Sequence, residues 1–299
     1  MTAPFVADAL GPRGRRLTLI ASVISGVLIV AALVVAYNRL SARGQLDASR
    51  WDPFTQWPVW RFLLLGLVTT VRVAMIAMAG AILVGALMAL ARLSRTRPLR
   101  WAGAAYVEFF RGVPLVLLVF FSYLGLPRYG VEISAFSALT LALIIYNGAV
   151  LGEIFRAGIL SLDRGQSEAA YSLGMTYWQS MLLVIIPQAA RRMVPAIVSQ
   201  LVTLLKDTSL GAAIGFEELL RRARITGEFF INPLQALVVA AAIYVVVNFT
   251  LSRVARRLEL RQRRRYQAGK IAVAGIEDLA VLQAQGPAEP VEAPRAVSA

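Results

Sequence analysis

Four long runs without a single charge constrain this chain more than any other feature: residues 17–37, 73–91, 133–152 and 231–252, of 21, 19, 20 and 22 residues. Each approaches the ~20 residues that an α-helix needs to cross about 30 Å of hydrocarbon. In lipid a helix satisfies its own backbone hydrogen bonds, so such runs are buried there without an unpaired polar group. Two further segments are weaker. Residues 113–127 give only 15 uncharged residues, which extend backward through Tyr106 to Phe110, and residues 193–216 are interrupted by adjacent Lys206 and Asp207. The sequence predicts an all-α polytopic membrane protein with six transmembrane helices.

Charge distribution then orients the helices. The chain carries 31 Lys and Arg against 17 Asp and Glu, a net charge of +14. A basic excess of this size also suits nucleic acid, but here it flanks the apolar runs. Arg13, Arg15 and Arg16 precede the first run, and Arg92, Arg95, Arg97 and Arg100 follow the second; Arg164, Arg191 and Arg192 follow the run 133–152, the fourth of the six spans, and residues 253–270 add eight more. By the positive-inside rule these lie in the cytoplasm, with both termini. The opposite side holds Arg39, Arg43, Arg50, Arg128 and the cluster Arg221, Arg222, Arg224.

The expected organisation is a cytoplasmic tail over 1–16, an anchor helix over 17–37, an extracytoplasmic loop over 38–58 and a transmembrane domain over 59–256. A basic and then disordered tail covers 257–299, starting its Ala, Pro, Glu and Gln composition near Gly269. The first run exceeds the 7–15 apolar residues of a signal-peptide core, so it reads as a retained anchor. Trp51, Trp57 and Trp60 near the end of the loop suit an interfacial aromatic belt. The basic stretch 253–265 is suited to anionic lipid at roughly 1 kcal/mol per residue, so membrane lipid is an expected partner and nucleic acid is not.

The chain has no Cys and no His. It therefore offers no thiol nucleophile, disulfide, imidazole base or common zinc or haem ligand. Catalysis by carboxylates alone needs them clustered at one depth, which the sequence lacks, so an enzyme is the weaker reading.

The polar stretch DRGQSEAAYSLGMTYWQSMLLVIIPQAARRMVP, residues 163–195, is far longer than the 2–8 residues that join helices in a bundle. Asp163 or Ser167 is placed to cap a short helix in which Ala169, Ala170 and Leu173 share a face, and Gly174 is placed to end it. A second helix starts near Gln179 and is bent by Pro187. On physical grounds this hairpin is either a knob for a groove on another protein or an element lying on the bilayer.

The spacing Glu168-Ala169-Ala170, three residues, Gly174, nine residues, Val184, one residue, Ile186-Pro187 resembles the EAA loop of permease subunits of ATP-binding-cassette (ABC) importers, with Val for Ile and Ile for Leu. EFFRGVPLVLLVFFSYLGLP (108–127), NGAVLGEIFRAGILSLDRGQSEAA (147–170) and LLKDTSL (204–210) are similar to the polar amino-acid branch, the histidine, glutamine, glutamate and arginine type. The resemblance spans about Gly66 to Ser252. It implies a type I importer core of five helices plus one N-terminal helix here, in a bacterial plasma (inner) membrane. It further implies a coupling hairpin over 163–187, with Gly165, Glu168, Ala169, Ala170, Gly174 and Pro187 docking on the ATPase. The implied partners are a cytoplasmic ATPase dimer, an extracytoplasmic amino-acid-binding protein and a second permease subunit, identical or distinct. No G-x-x-x-x-G-K-[ST] stretch surrounds Lys206 or Lys270, so ATP and Mg are expected on the partner and no cofactor on this chain.

Charges inside spans are costly and are candidates for the substrate path. Arg72 suits a bidentate grip on a carboxylate, or snorkels to the outer headgroups. Glu153 and Arg156, three apart on one helix, neutralise each other or, following the resemblance, let Glu153 accept a substrate ammonium. Asn147 and Gly148 lie outward of them and offer a close approach to backbone. Lys206 and Asp207 point about 100° apart and mark either the path or a helix break before Ser209. Glu108 and Arg111, one turn apart, are expected to pair. The Arg cluster at 221–224 faces an anionic solute or partner, or solvent. These features favour import of glutamate or aspartate, with glutamine or a basic amino acid as alternatives. An ion-driven secondary transporter is the remaining class, but it needs inverted repeats that are not found.

Overall fold

The computed structural model describes residues 11–284. Among them every regular element is helical. α1 (Pro12–Ala42) has Pro12 in its first turn, where a missing N–H costs nothing, and none of its apolar window is buried. A 3₁₀ helix, Ala48–Thr55, leads to α2 (Trp57–Leu93). α3 (Arg97–Gly112) and α4 (Leu115–Phe120) follow, then α5 (Ala135–Leu160), α6 (Arg164–Ser172) and α7 (Tyr177–Gln179). α8 (Ile186–Asp207), α9 (Leu219–Phe229) and α10 (Pro233–Ala284) complete the chain.

Five helical stretches are long and apolar enough to cross a membrane, and a sixth crossing is counted if the bent α3–α4 pair is one span. That pair corrects one expectation. Residues 106–110 do not extend the third span in line, because the helix turns by 99° between Gly112 and Leu115. Pro114 lacks an N–H and forces Val113 into an extended conformation, so α3 ends there. The tail also differs from expectation: α10 continues past Gly269 to Ala284, through Ala, Ile, Val and Leu and before the first proline of the tail. The remainder of the predicted disordered tail lies outside the described residues.

The contacts divide the chain into two units. One comprises the residues up to Leu65 together with Arg222–Ala240. In it the 38–58 connector is tied down by polar contacts. The Arg50 guanidinium donates to the Gly44 carbonyl at 2.8 Å and to the Ile231 carbonyl at 2.6 Å, while Asn232 Nδ2 donates to the Arg50 carbonyl. Gln235 Nε2 donates to the Gln45 carbonyl, and the Trp60 indole N–H to Phe54. These bonds hold Ile231, a β-branched residue at φ +54°, in the left-handed region.

The other unit comprises Gly66–Arg221 with the chain from Ala241. Its core is formed by α2, α5 and α8 around buried Val73, Ala77, Leu143, Leu151 and Leu204, with Tyr244 and Leu251 of α10 packed against it. α2 and α5 meet along a glycine seam. A Cβ added at Gly80 would lie 2.6 Å from Ile144, one at Gly85 2.8 Å from the Leu151 Cβ, and one at Gly148 2.7 Å from Val84. Small residues let membrane helices approach this closely where no hydrophobic effect drives them together.

Candidate functional site

The hairpin after α5 is built by local capping. Asp163 precedes α6 and its carboxylate accepts from the Gly165 N–H at 2.9 Å; Ser167 instead donates its hydroxyl to the Arg164 carbonyl. α6 closes with a Schellman turn, in which Met175 N–H reaches the Ala170 carbonyl and Gly174 N–H the Tyr171 carbonyl. Gly174 sits at φ +77°, which only glycine adopts without strain. Thr176 and Gln179 then form a reciprocal capping box that starts α7.

From Tyr177 the backbone stays helical through a wide π turn, Ser180–Ile185, into α8 and a terminal 3₁₀ turn, Thr208–Ile214. The second arm of the hairpin and the fifth span are thus one 38-residue stretch. The π turn stands immediately before exposed Pro187, whose missing N–H leaves a gap in the ladder.

Leu162, Met181, Ile185 and Ala189 form a small core inside the hairpin. Gln188 donates to Gln166 at 3.0 Å, tying α6 to α8, and Arg192 donates to the Ser161 carbonyl. Ala169 and Ala170 do not share one face as expected: Ala170 is 3% exposed and Ala169 is exposed, as residues 100° apart on a helix must differ. Glu168 is exposed with Ala169, and Leu173 next to them is 79% exposed. The outward surface of the hairpin is therefore a carboxylate beside apolar groups.

The intramembrane polar residues separate into distinct clusters. Glu153 is gripped from two sides, by Arg92 at the end of α2 and by Arg156 on its own helix at 2.8 Å. The i,i+3 pair was legible in the sequence; Arg92 was not, because at the end of an uncharged run it looks like any flanking positive charge. Asn147 is fully buried, donates to the Leu143 carbonyl and accepts from Gln200 of α8 at 2.7 Å. Gly148 faces Val84 across the seam. Both positions are packed by protein neighbours within this chain. The missed partner, Gln200, had a signal: an amide within an apolar span needs a partner.

Lys206 is exposed and Asp207 half-buried at the end of α8, where the helix tightens to 3₁₀ just before Ser209. Glu108 and Arg111 are both exposed and make no ion pair with each other. The 221–224 cluster is not one open face: Arg222 donates to the Phe62 carbonyl at 3.1 Å and lies over the Phe62 ring, while Arg224 is exposed. Sequence reasoning also missed Glu218. It is fully buried, accepts from the N–H groups of Leu220 and Arg221, and takes the Tyr244 hydroxyl at 2.6 Å. Beside it the Thr70 hydroxyl accepts from Leu219 N–H at 3.1 Å.

Arg72 lies on α2 against an aromatic pair. Its guanidinium lies 5.6 Å from the centre of the Phe136 ring, and Phe136 in turn packs against Phe216 at 6.0 Å. No carboxylate pairs with it among the described residues. It is exposed, on an otherwise apolar stretch of α2.

A chain of spanning helices with one capped polar hairpin is the architecture of an importer permease, and the similarities agree. Residues 81–264 match the family described as "Binding-protein-dependent transport system inner membrane component", and the chain belongs to that family. Within it, this is a permease subunit of an amino-acid ABC importer, a multi-pass inner-membrane protein. The glutamate transport system permease protein GluD of Corynebacterium glutamicum is 40% identical, over 80% of this chain and 89% of that one. A probable glutamine ABC transporter permease of Bacillus subtilis, GlnP, is 41% identical over 67% of this chain and 94% of its own. Among solved structures, an amino acid ABC transporter crystallised with histidines superposes with a TM-score of 0.66 at 34% identity, covering 72% of this chain and 99% of that one. The MetNI methionine transporter shares the fold, with a TM-score of 0.55 at 20% identity over 68% of this chain and 99% of its own.

Proposed function

We propose that the chain imports an acidic amino acid, glutamate or aspartate, and that Arg72 holds the substrate carboxylate. The observation that carries this reading is a guanidinium on a spanning helix that rests on an aromatic face and has no carboxylate partner among the described residues. A charge placed so is costly in the membrane, and an anionic solute offsets that cost at the moment it passes. The names of two relatives support the same class: the glutamate permease above and the glutamate/aspartate import permease GltK of Escherichia coli, 36% identical over 68% of this chain and 95% of that one. Glu153 carries less of the argument, because an incoming ammonium would have to displace Arg92 or Arg156. Lys206 and Asp207 carry none of it.

In this reading the chain is not itself an enzyme. ATP and Mg bind a separate cytoplasmic ATPase dimer, which docks on the hairpin through Gly165, Glu168, Ala169, Ala170, Gly174 and Pro187. A second permease subunit completes the path, an extracytoplasmic binding protein delivers the substrate, and both termini are cytoplasmic.

The test is uptake of radiolabelled glutamate by the reconstituted importer. Arg72→Ala lowers glutamate uptake about tenfold or more, the loss expected for a charged hydrogen-bonded contact, and Arg72→Lys restores part of it. Unchanged glutamate uptake in an inserted Arg72→Ala protein overturns the assignment. Glutamine is the second reading, favoured by the 41% identity to the probable glutamine permease; it holds if glutamine, and not glutamate, drives uptake in the unmodified protein.

A further inference from the structure

A groove of about 670 Å³ lies where the Arg92 end of α2 meets the start of α3 and the first turn of the long α7–α8 stretch. Its size falls within the ~300–1,000 Å³ typical of small-molecule sites. Its lining is part apolar and part polar. The apolar part is Leu87, Met88, Leu90, Ala91 and Leu99, with Leu87 and Leu99 more than half exposed. The polar part is Ser94, Arg95 and Thr96, with Tyr177 and Trp178 beside them in the lining. From Leu87 to the end of α2 is roughly 10 Å along the helix, so an apolar strip of the lining leads up to the polar residues at its edge.

The rim is cationic and has no carboxylate of its own. The Arg95 guanidinium lies 4.8 Å from the centre of the Tyr177 ring, and no carboxylate pairs with it among the described residues. Ser94 and Thr96 hydroxyls bond each other at 3.0 Å beside it, and Arg97 and Arg100 are exposed on the next turn. Exposed Trp178 supplies the amphipathic ring that favours the headgroup level.

We infer that this groove is a binding site for an anionic phospholipid, with an acyl chain along Leu87, Leu90 and Leu99 and the headgroup phosphate at Arg95. Charge complementarity selects the anionic class, because a basic rim between spanning helices suits a phosphate without a compensating ammonium. The one-ended polarity selects a lipid over a soluble anion, which has no use for the apolar walls. The site links two working parts: Arg95 follows Arg92, the partner of Glu153, by one turn of chain, and Tyr177 opens the second arm of the hairpin.

The test is native mass spectrometry of the full-length protein extracted from membranes containing phosphatidylglycerol and phosphatidylethanolamine. Phosphatidylglycerol is retained in preference. Arg95→Gln lowers its retention about fivefold, matching the ~1 kcal/mol that one basic residue contributes near an anionic surface, and Leu87→Trp lowers it by filling the groove while leaving the rim charge intact. Arg16→Gln, remote in sequence from the groove, leaves retention unchanged. Equal retention of the two lipids, or no loss in both groove variants, overturns the inference. So does a loss of the co-purifying ATPase with lipid retention unchanged, which makes the groove a protein-docking surface instead.

Discussion

At Gly85 and Gly148 the backbones of α2 and α5 approach so closely that any side chain meets Leu151 or Val84 below 3 Å. Gly85→Leu and Gly148→Leu therefore push the two helices apart at the centre of the core, and overpacking of this kind costs about 1–3 kcal/mol or more. The expected outcome is a sharp fall in folded protein recovered from membranes, measured by fluorescence-detected size exclusion, while Gly26→Leu on α1, where a Cβ meets nothing within 4 Å, leaves recovery unchanged. Glu153 is read by the same logic of neighbours. Glu153→Gln leaves two guanidinium groups facing a neutral amide, a loss of about 1–3 kcal/mol for a half-buried cluster that lies between the surface and the buried limits. Arg92→Ala combined with Glu153→Ala costs less than the sum of the two single changes, and a thermal-stability double-mutant cycle measures the difference. Residue-scale legibility follows sequence distance. The Glu153–Arg156 pair shows in an i,i+3 spacing, whereas Arg92 reaches Glu153 across 61 positions and Gln200 reaches Asn147 across 53, which no local pattern encodes.

Among the elements, the hairpin was the most readable, since its Asp163 cap and its Gly174 turn are short-range chemistry. What local reading missed was continuity. A proline and two adjacent charges suggest breaks, yet Tyr177 to Ile214 runs as one stretch, with a π turn absorbing Pro187 and a 3₁₀ turn following Asp207. The converse error came at Pro114, where apolar composition on both sides concealed a 99° turn. The second arm of the hairpin therefore joins the core helix α8 without an intervening loop. Gly174→Asp places a side chain at φ +77° and a charge on the hairpin tip, and Glu168→Lys reverses the exposed charge beside it. Both variants are expected to insert normally and to lose transport-linked ATP hydrolysis, measured as substrate-stimulated phosphate release in proteoliposomes. Hydrolysis and transport at the unmodified rate would show that the hairpin is not the coupling element.

For the whole molecule, the apolar runs and the Arg distribution were enough to read a polytopic helical membrane protein, because a bilayer imposes its thickness directly on sequence. The path itself was not legible in the same way. In this family the permease works with further subunits, and the chain's own polar residues mostly satisfy one another: Asn147 with Gln200, Glu153 with two arginines, Glu218 with Tyr244. Arg72 is the spanning-helix charge left to a solute in this account, and the hairpin is its link to a power source. The most direct measurement is glutamate uptake into proteoliposomes holding this permease, its co-purified ATPase and the binding protein, with ATP inside or outside the vesicle and with ion gradients collapsed. The account predicts uptake that needs ATP on the hairpin side, survives collapse of the gradients and falls at least tenfold with Arg72→Ala. Uptake that follows an ion gradient and ignores ATP would contradict it.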